Sequence, residues 1–367
     1  MPASALRIAV VSDVTLGYGS PQIPSLARSL AGYYRASTTV FEPDQGNRPT
    51  LDLHCEFCTI RRITTELHPH SSSGRIEYVL KVSRQLNIDR PQILVIFCTY
   101  ALPVLLRLRY RPQCTIYSVI ESVLPYGAFD VQLNKSIGRI DVLLFPEENR
   151  ARLDLARCSL SGIPLAITYN VSDSPPGEVI PPQQRVPRIL QAGLLSRQPG
   201  MADYFLQEEV RAIPFDLFGD IVGTDKDTLA EKLTNGANSV RYHGPVDAAT
   251  LAGIRRARAY CMVMYAPIHE HTLYACPNKF FEAIADGVPP IAAPHPQCKM
   301  LLDRYRCGIL MKDWSFQSFR AAVTQAMRTF GTDRYAEMVA NCQKAVREEL
   351  NWETQFNKVE RLLPKAA

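Results

Sequence analysis

Long apolar runs are missing from this chain of 367 residues. The longest, residues 93–106, is too short to span a bilayer and contains Pro103, which argues against an integral membrane protein. The opening Met1-Pro2-Ala3-Ser4-Ala5-Leu6-Arg7 has neither the basic start nor the apolar stretch of a secretory signal, so the expected location is cytoplasmic. Cysteines number ten but are scattered, several in apolar runs (Cys98, Cys261), and read as reduced thiols rather than a disulfide framework. Cys55-x-x-Cys58, with His54 beside it, has no second CxxC and falls short of a zinc or redox motif. Charge of one sign is also scarce. Lys plus Arg total 41 against 36 Asp plus Glu, a net +5, which excludes a polybasic nucleic-acid binder. That balance suits an anionic small ligand, or loose attachment to the inner face of an anionic membrane. Low-complexity tracts are absent apart from one proline-crowded linker.

What is present is a regular alternation. The length suits two domains, and 46% hydrophobic residues fill two cores. Strand-like runs at residues 6–13, 38–41, 58–64, 92–98, 115–120 and 141–145 are separated by helical patterns at 23–34, 75–86, 103–110, 129–137 and 147–156. Such alternation predicts a parallel sheet covered on both faces. Ligands of such sheets sit beyond the C-terminal strand ends, so the residues to inspect there are Asp13, Thr99, Tyr100, Glu121, Ser122, Pro146 and Glu147. Gly17-Tyr18-Gly19-Ser20 follows the first strand. Its glycines serve either a tight turn or close approach of the backbone to a ligand, and it falls short of the dinucleotide fingerprint. Glu121 follows the fifth run and reads equally as a cap for a helix starting near Tyr126 or as a cleft-facing general base that orients a hydroxyl. His68-Pro69-His70 sits in an expected loop. Residues 105–111 alternate arginine with apolar or aromatic side chains, as helix-end cations or as a patch for an anionic surface or acceptor, to which Arg61 and Arg62 are candidate contributors.

Pro175, Pro176, Pro181, Pro182 and Pro187 mark residues 173–187 as a linker between a first domain, 1–172, and a second, 188–331. The second restarts the alternation, with strands at 188–192, 215–218, 239–242 and 259–265 and helices at 226–233 and 248–257. His269-x-His271 with Glu270 falls short of HExxH, so a metal is not expected. The chain then passes through 296–302 and 308–311 to a helix expected around 316–330, and an amphipathic tail runs from 333 to 363. Its Trp352, Phe356 and Val359 form an apolar stripe.

Pro277 to Ile291 carries the most information. Asn278 is a candidate N-cap, Gly287 suits the left-handed residue after the last turn, and Pro289 and Pro290 stop any continuation. Phe280 and Ile284 share one face, with Lys279 and Glu282 at i and i+3 on another. An open helix N-terminus with a lysine suits a phosphate. A glutamate one turn further in is an acceptor for ribose hydroxyls. An ordinary surface ion pair has the same spacing.

The whole string, Pro-x-Lys-x-x-Glu followed by Ala-Asp-Gly-Val-Pro-Pro-Ile, resembles the nucleotide-sugar motif of GT-B glycosyltransferases, especially glycosyltransferase family 4. A looser likeness runs from Arg188 to about Asp313. The resemblance implies two Rossmann-like, doubly wound α/β domains facing a cleft. The first binds the acceptor, and a C-terminal helix within 332–367 packs back on it. It implies a transferase moving a sugar, with retention, from a UDP- or GDP-sugar to a saccharide, lipid-linked or small-molecule acceptor, in polysaccharide or glycoconjugate biosynthesis. No metal or other cofactor and no nucleic acid is implied. In this scheme Lys279 meets the diphosphate, Glu282 the ribose, His243 and Gly244 the base, and Glu270 and His271 the sugar. Gly17, Tyr18, Gly19 and Ser20 lie near phosphate or acceptor. The family's Gly-Arg-Leu and Lys-Gly cations fall on Leu194 and Pro199 here, leaving Arg197 as substitute. The family's first glutamate falls on Tyr274. These departures keep open a sugar-nucleotide epimerase or phosphorylase of the same fold, and an inactive nucleotide-sugar-binding partner of another transferase.

Overall fold

Residues Ile93–Phe97 are buried along their whole length, as a strand covered on both faces must be. A computed structural model places this strand at the centre of a sheet. It describes residues 6–17, 20–46, 48–120, 133–158, 160–173, 178–235, 239–275 and 277–365. The chain divides into two compact units, Met1–Asp173 with Trp352–Ala367, and Ser174–Asn351.

In the first unit seven strands pair in parallel. They are β1 (Arg7–Val11), β2 (Ser37–Pro43), β3 (Cys58–Ile63), β4 (Ile93–Phe97), β5 (Cys114–Ser118), β6 (Val142–Phe145) and β7 (Leu165–Ile167). Their spatial order is β3-β2-β1-β4-β5-β6-β7. Strand order therefore reverses between β1 and β4, which is where a crevice opens in a doubly wound sheet. Helices α1 (Gln22–Tyr34), α2 (Ser72–Asp89), α3 (Pro103–Arg107) and α4 (Glu148–Arg157) connect the strands. Strand β7 was not expected, because three residues carry no readable period. Helix α3 is shorter than the pattern over 103–110, with Leu108 already extended and buried. Of the helix expected over 129–137, residues 129–132 lie outside the described residues, 133–136 are helical, and Ile137–Arg139 is a 3₁₀ turn.

The second unit repeats the plan with six parallel strands in the order β10-β9-β8-β11-β12-β13. They are β8 (Val186–Ala192), β9 (Phe215–Phe218), β10 (Val240–Gly244), β11 (Arg258–Val263), β12 (Pro290–Ala292) and β13 (Ile309–Leu310). The reversal here falls between β8 and β11. The helices are α5 (Lys226–Asn235), α6 (Ala248–Arg256), α7 (Glu270–Leu273), α8 (Asn278–Ala285), α9 (Pro296–Tyr305), α10 (Phe316–Thr329) and α11 (Asp333–Glu348). Phe205, Phe215 and Phe319 interlock in its core with ring centroids 5.0–6.1 Å apart.

The tail read from sequence as one stretch is two helices. Helix α11 stays in the second unit, where the buried Tyr335 donates to Ala259 O at 2.8 Å. The chain turns at Leu350-Asn351, with Leu350 N bonded back to Ala345 O. Helix α12 (Trp352–Glu360) then packs in the first unit. There Trp352 Nε1 donates to Ser29 Oγ at 2.7 Å, and Lys358 Nζ lies 4.6 Å from the Tyr169 ring centroid.

Candidate functional site

Helix α8 buries Phe280, Phe281, Ala283 and Ile284 and turns Lys279 and Glu282 away from that core. Its N-cap is Pro277, not Asn278. Pro277 is extended at φ −65°, and its carbonyl accepts from Phe280 N at 2.9 Å, so Asn278 is already helical and caps nothing. The proline ring fixes φ at the value the entering residue needs, and this displaces the cap by one position. At the other end Gly287 has φ +66°, and an added Cβ would meet Val179 Cγ1 at 2.8 Å. A side chain there is strained by conformation and would require Val179 to shift.

Lys279 is the residue that links the helix to the sheet. Its Nζ donates to Ala192 O, the last carbonyl of β8, at 3.1 Å. It lies 4.5 Å from the centroid of Tyr265, just past β11. With the Gln191 amide oriented to donate to Met262 O at 2.8 Å, the Gln191 carbonyl oxygen also accepts from Lys279 Nζ at 3.0 Å. A cation is thereby held over the ends of β8 and β11, where strand order reverses. Glu282 Oε2 accepts from Arg255 Nη1 at 2.8 Å.

Neighbouring strand ends are laced together by backbone. Gly193 N donates to Phe218 O at 3.0 Å and Gly219 N to Gly244 O at 2.9 Å. A Cβ on Gly219 would stand 1.9 Å from Gly193 O. Ala266 N donates to Pro199 O at 2.8 Å, joining the loops that follow β11 and β8. Arg197, in the second of these, pairs with Asp225 Oδ2 at 2.6 Å and Asp203 Oδ1 at 3.5 Å. His243 stacks on Phe218 with centroids 4.4 Å apart and planes 7° apart. Its Nε2 lies 3.1 Å from Asp216, which also pairs with Arg188 at 2.8 Å and Arg258 at 2.6 Å. Burial alone would raise the Asp216 pKa. Hydrogen bonds from Arg258 and His243 and the charge of Arg188 outweigh it and hold the carboxyl below its ordinary value. Gly244 has φ +75°. Glu270 is exposed and His271 half-buried on the short helix α7.

In the first unit, Gly17 has φ +87° and Ser20 φ +50°. Tyr18, Gly19 and Glu121 lie outside the described residues. The loop after β1 is fixed from β2. Glu42, fully buried, accepts from Leu16 N at 2.7 Å and pairs with Arg62 at 2.7 Å, while Thr15 Oγ1 donates to Pro43 O at 2.8 Å. His70 Nε2 lies 2.5 Å from Gln45 Nε2, and its pKa is lowered by burial and by nearby Arg75, His68 and Arg48. The Arg75 guanidinium stands 3.4 Å over the Tyr100 ring. Arg107 and Arg109 are exposed, whereas Arg111 is tied to Asp141 at 2.9 Å and to Gly138 O.

Solved structures resemble this arrangement over nearly the whole chain. Sucrose-phosphate synthase from Thermosynechococcus elongatus matches with a TM-score of 0.74 at 16% identity, over 97% of this chain and 98% of that one. The Anabaena protein HepE, solved in complex with UDP and glucose, matches with a TM-score of 0.71 at 14% identity, over 97% and 98%. WaaG, a glycosyltransferase involved in lipopolysaccharide biosynthesis, matches with a TM-score of 0.66 at 13% identity, over 97% and 99%. This is a GT-B fold. No protein-family model and no curated protein sequence matches the chain, so the likeness is one of fold.

Within the GT-B fold, several residues around the site escape a reading by motif. Arg255 reads as one of two cations ending a helix, yet it bonds both Glu282 and Asp286. Gln191 and Tyr265, which cradle Lys279, stand in or beside apolar strands and carry no signal. Glu42 did carry one, as a carboxylate inside the strand-like Thr39-Val40-Phe41-Glu42-Pro43.

Proposed function

We propose that this chain is a glycosyltransferase that moves a sugar, with retention, from a UDP- or GDP-sugar to an acceptor hydroxyl in polysaccharide or glycoconjugate biosynthesis. The observation that carries this reading is Lys279, held at the first turn of α8 over the reversal between β8 and β11. A diphosphate at that point meets a cation, free helix N–H groups and the positive end of the helix dipole. Glu282, one turn further in, takes ribose hydroxyls through the oxygen that Arg255 leaves open. His243 and Gly244 border the base, and Glu270 and His271 the sugar. Asn278, helical rather than capping, offers its N–H and amide to the same anion. Arg197 reaches a phosphate only by exchanging Asp203 and Asp225, so Lys279 carries most of the charge. Gly17 to Ser20 and Glu121 serve the acceptor, Glu121 as the base that orients its hydroxyl.

The hard step is departure of the nucleoside diphosphate, whose growing charge must be met by fixed cations and dipoles. Lys279 and the α8 N-terminus supply these, so the chemical step needs no metal. Full activity of EDTA-treated enzyme is the expected result, and revival of a dead enzyme by Mg²⁺ would refute it.

No helix among the described residues is long and apolar enough to cross a membrane. Peripheral contact of a cytoplasmic enzyme is proposed through the Arg107–Arg111 region. Arg107 and Arg109 stand there beside Leu106, which is 40% exposed, and Asn87 joins this segment to α2, where Ile88 is 68% exposed. Basic and apolar side chains together suit an anionic bilayer surface and a lipid-linked acceptor.

Calorimetric titration with UDP and GDP tests the donor reading. One nucleotide should bind, and Lys279→Ala and Glu282→Ala should each weaken it about ten- to a hundredfold, the worth of a charge-assisted contact. Absence of binding to the intact protein would remove the main support.

A further inference from the structure

Arg255 lies in the last turn of α6 and is only 8% exposed. Its Nε donates to Asp286 Oδ2 at 2.6 Å and its Nη1 to Glu282 Oε2 at 2.8 Å. The two carboxylates differ in one respect. The Asp286 side chain is 7% exposed, that of Glu282 38%. One guanidinium is thus fixed from behind by a buried carboxylate and holds a second that still faces solvent. Burial works against the arginine's charge, but Glu282 and Asp286 outweigh it and raise its pKa.

A half-exposed glutamate on a helix ordinarily exchanges among staggered rotamers. Bonded to a buried arginine through Oε2, Glu282 keeps one, and Oε1 is the atom left to accept from outside. Helix α6 also starts just after His243-Gly244, with Asp247 capping Thr250 N. The same arginine therefore ties the segment proposed to border the base to the carboxylate proposed to meet the ribose.

The geometry points to Arg255 as a positioning residue that fixes Glu282 as a one-sided acceptor for ribose hydroxyls and so sets the preference for ribonucleotides over dideoxynucleotides. This rests on the proposal that Glu282 binds the donor ribose. Arg255 touches no ligand in this scheme and acts only through Glu282.

The test is calorimetric titration with UDP and 2′,3′-dideoxy-UDP, and with the guanosine pair. In the wild type the ribonucleotide should bind about ten- to a hundredfold tighter, as loss of a charge-assisted hydrogen bond requires. Glu282→Gln should shrink this ratio. Arg255→Met combined with Asp286→Asn, which avoids a buried unpaired carboxylate, should bring the ratio to within about threefold of unity while dideoxy-UDP affinity changes by less than about threefold. Arg255→Lys, which keeps the charge if the double variant does not fold, should give an intermediate ratio. An unchanged ratio in the Arg255 variants, or equal loss of both ligands, overturns the positioning role and leaves the donor reading intact. If the wild type binds neither nucleotide, or Glu282→Gln leaves the ratio unchanged, the assignment of Glu282 to the ribose fails first and this inference with it.

Discussion

The two sheets reverse strand order in the same way, and backbone hydrogen bonds join neighbouring strand ends in both, as from Ser12 N to Phe41 O at 2.9 Å and Val119 N to Leu144 O at 2.8 Å in the first, but charge near their C-terminal edges is used differently. In the first unit a fully buried carboxylate, Glu42, reaches from β2 to the loop after β1, and its charge is met by Arg62. In the second unit the loops after β8, β9 and β10 are stitched by backbone hydrogen bonds, with glycines packed against one another. On α8, which follows β11 and α7, Lys279 and Glu282 are both partly exposed. The first edge uses its carboxylate for architecture. On the second, Lys279 and Glu282 stay partly exposed, which is the condition under which a charge can serve a ligand.

Three substitutions sharpen or break this contrast. Glu42→Ala should have the largest effect, since it strips the carboxylate from Arg62, which keeps the carbonyls of Arg48 and Pro49, and leaves Leu16 N without its acceptor. Breaking a buried pair costs about 3–5 kcal/mol, to be read by urea denaturation. UDP affinity should survive where the fold does. A loss below about 1 kcal/mol would show that the first edge does not depend on this carboxylate.

Gly219→Ala should cost about 1–3 kcal/mol from overpacking against Gly193 O, with added strain at φ +123°. Unlike Glu42→Ala it should also weaken nucleotide binding, because it displaces the loops beside Lys279. Unaltered stability and affinity would mean that backbone lacing does not shape the site.

The smallest effect concerns acid. Asp216 has a folded pKa below its ordinary value, so the folded state binds fewer protons than the unfolded one. Its stabilisation is present above the unfolded aspartate pKa of about 3.9 and is lost as pH falls through the lower folded value. The melting-temperature gap between wild type and Asp216→Asn should therefore be constant near neutrality and close only below about pH 4. A gap that closes well above pH 4 would overturn the assignment of this stabilisation to Asp216.

Much of this was legible in the sequence for reasons of period. Apolar runs such as Ile93–Phe97 admit few readings, and Gly287 with two following prolines stops a helix unambiguously. The fold followed from the alternation and from fifteen residues around Lys279. The site was legible only where a motif names residues by spacing. Spacing could not show that Pro277 takes the cap from Asn278, because both types suit a helix start. Nor could it show that Arg197 is engaged by Asp203 and Asp225, which lie up to 28 positions away in sequence.

The sequence by itself determined two α/β units, the C-terminal end of α8, and a lysine and glutamate on one polar side of that helix, because these depend on local conformation and on periods of two and 3.6 residues. Only the tertiary structure decided what those charges face. The order β10-β9-β8-β11-β12-β13 puts Lys279 over the reversal point, and the approach of α6 brings Arg255 to Glu282 across 27 positions of chain. Such pairings depend on which strand lies beside which, and no local pattern carries that information.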